Sequence, residues 1–243
     1  MPKSPAHLES RNFQGFSPET ITFLKDLRAN NNKAWFEDNR ERYQDVLLMP
    51  FQNLVRDLAA YMVEIDPNFD VTSIKKSVSR IYRDIRFSKD KSPYRPNMWL
   101  SFKRATKDWK LEPVYFFEVM PEIYRYGVGF YSPTKGTMNA LRARIDYHPK
   151  EVEAVNALLA PNSEFALMGE EYKRPVGTSS AQLPPELRSW YQKKEVFVIC
   201  SYPPDALLFS SGLVEKVARD FAFLKPLYNF FWELRNEELA SEE

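Results

Sequence analysis

One cysteine, two histidines and seven glycines in 243 residues exclude several kinds of chemistry. Cys200 alone allows no intramolecular disulfide and no cysteine-based zinc cluster. It sits in the apolar run EVFVICSY, which predicts a buried, inert thiol. With only His7 and His148, a Ser-His-Asp triad or a histidine metal site would rest on a single imidazole. No run approaches the roughly 20 apolar residues that span a bilayer, so no membrane association is expected. The opening MPKSPAHLES lacks the apolar stretch of a secretory signal, which predicts a cytoplasmic protein. Glycine-rich phosphate loops are also missing. In GVGFYSPTKGT, Ser132 stands where a third glycine would complete a dinucleotide fingerprint, and the Lys-Gly order reverses that of a P-loop. Gly127 and Gly129 therefore read as a bulge or a close approach of chain segments. No cofactor and no metal are expected.

What the sequence does contain is ordinary for a folded domain: 44% hydrophobic, 15% aromatic and 28% charged residues, with 18 prolines. Residues 1–16 read as a polar tail and residues 17–243 as a single domain. FSPETITFL gives a helix start, with Ser17 as N-cap and Pro18 at the first helical position. A second helical stretch runs from Lys33 to about Ile65, with Pro50 as a kink or a break. After the turn DPNFD the pattern changes. NMWLSFK, PVYFFEVM and EIYRYGVGFY read as neighbouring strands with Leu100, Phe102, Phe117 and Tyr124 in the core. A turn at Met120-Pro121 would set Phe117 opposite Tyr124 and make Glu118 a diagonal neighbour of Arg125. A salt bridge between that last pair is the expected use of Glu118. Helices follow from Ser132-Pro133 and from His148-Pro149. Residues 161–185 read as a functional flap or as an unrecognised strand. EVFVICSY is a further strand, and Ser211 to Leu239 is helical with a kink at Pro226. This order predicts an α+β fold, a mainly antiparallel sheet flanked by N-terminal and C-terminal helices.

The charge is unevenly placed. Between Lys75 and Lys110 stand twelve Lys/Arg and three Asp, a local +9 in a chain whose net charge is +1. Within it, SRIYRDIRFSKDKSPY sets Arg80, Arg83 and Arg86 at intervals of three, followed by Lys91 and Tyr94. Two guanidiniums about 5 Å apart repel by roughly 3 kcal/mol at an effective dielectric near 20, so converging arginines need an anion or must splay apart. Asp84 is one internal counter-charge. Ile81, Ile85 and Phe87 interleave with the charges and are expected to anchor the segment.

RIYRDIRFSKDKSPY resembles the signature of a bacterial and fungal domain-of-unknown-function family, of the type R-x-x-R-D-x-R-F followed by D/N-K and a tyrosine. GFSPET, WFEDNRERY, GVGFYSP and LRARI resemble the same family, so the likeness extends over nearly the whole chain. It implies a single domain of about this length and implies no activity.

Three readings follow. Arg80, Arg83, Asp84, Arg86, Lys91 and Tyr94 form a site for a phosphate- or carboxylate-bearing small molecule, because planar guanidiniums match those groups. Alternatively, the chain is an enzyme acting on a phosphorylated small molecule, the arginines stabilising developing charge. In the third reading the arginines pair with the chain's own carboxylates, Glu37, Asp38 or Glu41 among them, in a structural or partner-binding domain. Trp99 and Trp109, set among lysines, would suit single-stranded nucleic acid. The nearly neutral whole chain speaks against a nucleic-acid partner.

Overall fold

The computed structural model describes residues 12–86, 89–160, 163–177 and 182–242. The fold is α+β. One antiparallel sheet has the strand order β1-β2-β3-β5-β4, with helices before and after it in the chain. The strands are β1 (Met98–Phe102), β2 (Pro113–Val119), β3 (Tyr124–Phe130), β4 (Ala166–Met168) and β5 (Phe197–Tyr202). The chain forms two compact units. The first runs to Phe102 and takes in Phe116–Arg125 and Tyr202–Arg219; the second holds Lys103–Tyr115, Tyr126–Ser201 and the chain from Asp220 onward.

The first unit begins earlier than the polar composition of its opening residues suggests. The backbone N–H of Phe13 donates to Asp57 at 2.8 Å, and Phe13 and Phe16 are buried. Phe16 meets Phe51 at 5.0 Å and stacks on Phe117 at 6.0 Å. α1 (Pro18–Ala29) starts where Ser17 and Pro18 predict, and the Thr20 hydroxyl accepts the Ser17 N–H at 3.1 Å. The helical stretch after it is broken more than Pro50 alone predicts. α2 (Lys33–Asp38) and α3 (Arg40–Tyr43) part at Asn39, and a π-helical turn, Gln44–Leu48, leads into α4 (Met49–Ile65). Pro50 lies in the first turn of α4, directly after that π-helical turn, and the backbone stays helical through Leu48 and Met49 rather than breaking there. A short α5 (Ile74–Ser77) follows.

β2 and β3 form the expected hairpin but in a register two residues from the expected one. Met120 N–H donates to Ile123 O at 2.9 Å, which sets Glu118 directly opposite Arg125 and leaves Phe117 diagonal to Tyr124, their rings 6.0 Å apart. Leu100, Phe102, Phe117 and Tyr124 are all fully buried. Arg125 reaches Glu118 at 2.7 Å, and Asn97 donates to the other Glu118 oxygen at 2.5 Å. That carboxylate is held as an ion-pair partner.

In the second unit, α6 (Lys135–Tyr147) starts two residues later than Ser132 and Pro133 suggest. Thr134 is the N-cap, accepting from Thr137 N at 3.0 Å, while Ser132 N–H donates to Lys110 O. α7 (Pro149–Asn156) follows. Of the ambiguous segment 161–185, residues 166–168 are β4, paired antiparallel with β5 through Ala166–Ile199, Leu167–Val198 and Met168–Phe197. Residues 161–162 and 178–181 lie outside the described chain. α8 (Pro185–Tyr191) precedes β5. The C-terminal helical stretch divides into α9 (Leu213–Phe223) and α10 (Lys225–Glu242), the break falling just before Pro226. Cys200 is buried, as EVFVICSY suggests, its thiol donating to Tyr126 O at 3.7 Å.

Gly127 and Gly129 mark a close approach. A Cβ on Gly127 would lie 1.9 Å from Val198 O, and one on Gly129 would lie 2.3 Å from the Phe197 Cβ. The obstacle at Gly127 is backbone, which cannot swing aside. Gly127→Ala is therefore expected to lower unfolding stability by about 3 kcal/mol, at the upper end of ordinary overpacking costs. Urea unfolding of the two proteins measures it, and a change below about 0.5 kcal/mol would show that β5 can retreat.

Candidate functional site

The basic segment lies in the first unit and is neither a helix nor a regular strand. It is an irregular two-stranded arm continuing outward from β1. Val78 bridges Leu100 and Tyr82 bridges Tyr94, both antiparallel. Ser79 N–H donates to Trp99 O at 2.8 Å, Arg95 N–H to Ile81 O at 2.8 Å, and Arg83 N–H to Pro93 O at 2.9 Å. Between the first two of these bonds, residues 79–81 face residues 95–99, so the returning strand carries a bulge. Pro96 sits in that bulge and has no N–H to leave unpaired.

Two contacts fix the arm to the helices. The Asn31 carboxamide bonds both backbone groups of Tyr94: Nδ2 donates to its carbonyl and Oδ1 accepts its N–H, each at 3.0 Å. The Tyr94 ring, 2% exposed, stacks on Phe36 at 4.2 Å. Burial and the neighbouring Tyr82 and Glu37 push the Tyr94 hydroxyl above its ordinary pKa. Tyr43, packed on Phe36 at 5.3 Å, is pushed up to about 12 by burial and by Tyr82. Tyr94 is thus an anchor. Ile81 is buried with it, whereas Ile85, expected to anchor as well, is 40% exposed. Phe87 lies outside the described residues.

The charges divide into two groups. Arg83 crosses the tip to Asp90 at 3.0 Å, Arg86 grips Asp84 through Nε at 3.0 Å and Nη2 at 2.7 Å, and Lys91 Nζ donates to Ile85 O at 2.8 Å. Asp84 and Asp90 each also cap their own turn, accepting from Arg86 N–H and Ser92 N–H. Bonds from Arg86 hold Asp84 well below the usual carboxylate range, and bonds from Ser92, with Arg83 nearby, lower Asp90. The Arg83 Nε is buried without a hydrogen-bond partner. The second group has no carboxylate partner among the described residues. Arg80 is exposed and makes no ion pair with the described residues. Arg95 lies over the Trp99 ring at 4.9 Å and also pairs with no described carboxylate, although its charge still acts on Asp84. Glu37, one of the acidic partners weighed from sequence, is taken by Arg40 at 2.7 Å.

The N-terminus of α6 and Trp109 also find internal partners. The N-terminus of α6, which could have held a phosphate, holds the Glu238 carboxylate instead. That group accepts from Thr134, from Thr137 at 2.6 Å and from Arg235 at 2.5 Å. Trp109, a candidate for base stacking, has the Lys103 ammonium 3.6 Å from its ring centroid. Among the described residues no group of His, Cys, Asp and Glu is arranged to hold a metal. No described helix is long and apolar enough to cross a membrane.

Sequence reasoning missed Asn31 and Arg95. Asn31 stands in ANNN, which reads only as a helix stop, and Arg95 lies outside the three-residue arginine spacing. A family described as conserved hypothetical protein, DUF2461, matches residues 19–230, and the chain belongs to it. No curated protein matches the chain.

Two outcomes follow from the paired charges. The Arg83–Asp90 pair is partly solvated, with side chains 25% and 55% exposed. Arg83→Gln should therefore cost about 1 kcal/mol in chemical denaturation, since exposed pairs contribute little. A loss of about 3–5 kcal/mol would instead mark a buried, uncompensated charge. Because both aspartates titrate below the ordinary value of about 3.9, their contribution to folding is present above that value and is lost as pH falls through the depressed values. Carbon-13 titration of the carboxyl groups should show midpoints below 3.9, with Asp84 returning toward it in Arg86→Gln. Unshifted wild-type midpoints would mean that the pairs do not persist in solution.

Proposed function

We propose that this member of the family is a binding protein whose basic arm holds a small molecule bearing phosphate or carboxylate, with Arg80 and Arg95 as its donors. The observation that carries this reading is the division of the arginines. Arg83 and Arg86 are occupied by Asp90 and Asp84, whereas Arg80 and Arg95 make no ion pair with the described residues. From residue 75 to residue 102 the chain has eight cations and two carboxylates, an excess of +6. The Arg95 N–H bonds Ile81 O, so Arg80 and Arg95 leave neighbouring points of the two strands, whose spacing is about 4.8 Å. Strand alternation starts Arg95 on the side of Ile81 and Arg80 on the side of Tyr82, so an anion held by both sits at the edge of the arm, a reach that the length of arginine allows.

Arg83, Asp84, Arg86 and Lys91 then hold the tip in shape, and Tyr94 anchors it, without touching the ligand. A second reading has its own support: the tip is cross-braced at two points, Arg83–Asp90 and Lys91–Ile85, with Arg86 gripping Asp84 within its own strand, and such a loop needs no ligand to be ordered. In that reading the arm is purely structural.

Thermal melts across a phosphate series, with chloride holding ionic strength constant, separate the two. An anion site should stabilise the wild type by roughly 2.7 kcal/mol at a hundredfold excess over Kd. Arg80→Gln and Arg95→Gln should lose most of that response, and Arg86→Gln should keep it. Equal and negligible responses in all four proteins would leave only the structural reading.

A further inference from the structure

Beside Arg80 stands an aromatic ring that neither the anchoring of the arm nor the ion pairs account for. Tyr82 is 51% exposed, although Ile81 before it is almost fully buried and Arg80 is exposed. The chain bends at Ile81, which turns inward, and Arg80 and Tyr82 on either side of it are both turned to solvent. Two residues apart, their Cα atoms are separated by no more than about 7 Å. The ring is supported from below. It packs on Tyr94 at 5.4 Å and meets Phe36 edge-on at 6.2 Å, and both supports are buried. Arg40, paired with Glu37, lies near the Tyr82 hydroxyl. An exposed tyrosine usually pivots freely. This one is braced on its inner side, with its outer side open and a guanidinium without a carboxylate partner next to it.

We infer that the arm recognises a phosphorylated small molecule that carries a planar aromatic ring, a mononucleotide in chemical class. The ring stacks on the open side of Tyr82 while the phosphate takes the Arg80 guanidinium. This deepens the anion-site reading and rests on it. Stacking on an aromatic side chain is tolerant of base identity, because every base offers a π face, so little preference among bases is expected. One arginine and one tyrosine make a site for one nucleotide. A single strand would need a succession of such rings, and among the described aromatics of the arm Tyr94 is buried and Trp99 is covered by Arg95.

Calorimetric titration with inorganic phosphate, ribose 5-phosphate, adenosine monophosphate, uridine monophosphate and a ten-residue oligothymidylate provides the test. The two mononucleotides should bind about tenfold more tightly than ribose 5-phosphate, and the oligonucleotide no more tightly per site than a mononucleotide. Tyr82→Leu should erase the difference between mononucleotide and ribose 5-phosphate while keeping the phosphate response. Tyr82→Phe should keep both, and Arg80→Gln should lose both. Equal affinity of wild type for ribose 5-phosphate and the mononucleotides would overturn the aromatic class and leave the anion site standing. Much tighter, steeply salt-dependent binding of the oligonucleotide would replace the free nucleotide with a nucleic acid. Absence of any response, phosphate included, would remove the anion reading itself. The comparison among ligands uses the wild-type protein, so it decides the matter even if a variant fails to fold.

Discussion

The arm depends on a side chain that imitates a strand. Asn31 offers Tyr94 one donor and one acceptor, the same pair of bonds a neighbouring backbone would supply, and does so from the link between two helices. Each such bond contributes about 1 kcal/mol net, and the Phe36–Tyr94 stack adds roughly 0.5–1.5 kcal/mol beyond its area. Together these fix one residue of the returning strand in three dimensions. The bulge at residues 95–99 makes this necessary. A regular ladder would have carried the register of β1 into the arm, but the bulge interrupts it, and an independent contact must restore the alignment beyond. With Tyr94 held, Tyr82 has a fixed partner, and the bonds at Arg83 and Arg95 follow.

The arm is therefore placed by neutral groups, which explains how it tolerates so much positive charge. Its two aspartates cannot neutralise six cations, and they do not sit where neutralisation would be most general. Each caps a turn with one oxygen and takes an arginine as well. Their effect is local shape. The remaining excess stays on the surface, where water screens it within about 8 Å at physiological salt. A nearly neutral chain can thus show a strongly positive field to a small ligand at close range while presenting little to a distant polyanion.

The strands and their core were legible because the signal is dense: aromatic and β-branched runs divided by turn residues allow few alternatives. The Glu118–Arg125 bridge was legible because strand alternation puts both residues on one face of a short hairpin, and it survives although the observed register differs by two residues from the one read. Other features depend on contacts that no local pattern encodes. Glu238 reaches the start of α6 across 101 residues, and nothing around Thr134 announces it. Two of three adjacent asparagines do different work, Asn31 clamping Tyr94 and Asn32 capping α2, yet as letters they are the same. The arginine motif was the hardest to read. Its spacing of three drew attention to the residues as a set, but in extended chain that spacing sends neighbours to opposite sides. Arg80 and Arg86 lie on one parity and Arg83 on the other. The set splits along the same line as its partners: Arg83 crosses to Asp90 on the returning strand, and Arg86 turns back to Asp84.

That split also shows why a bracing role and a binding role are compatible in one arm. A ligand site made of mobile arginines loses affinity to the ordering of each side chain on binding, roughly 0.5–1.5 kcal/mol apiece. Here the ordering is largely complete before any ligand arrives. The tip is closed by Arg83 and Lys91, Arg95 rests on Trp99, and Tyr82 is wedged against Tyr94. Arg80 alone retains its freedom among these groups. The more thoroughly the aspartates brace the tip, the smaller the entropic cost that remains for recognition, and that cost then falls on a single side chain.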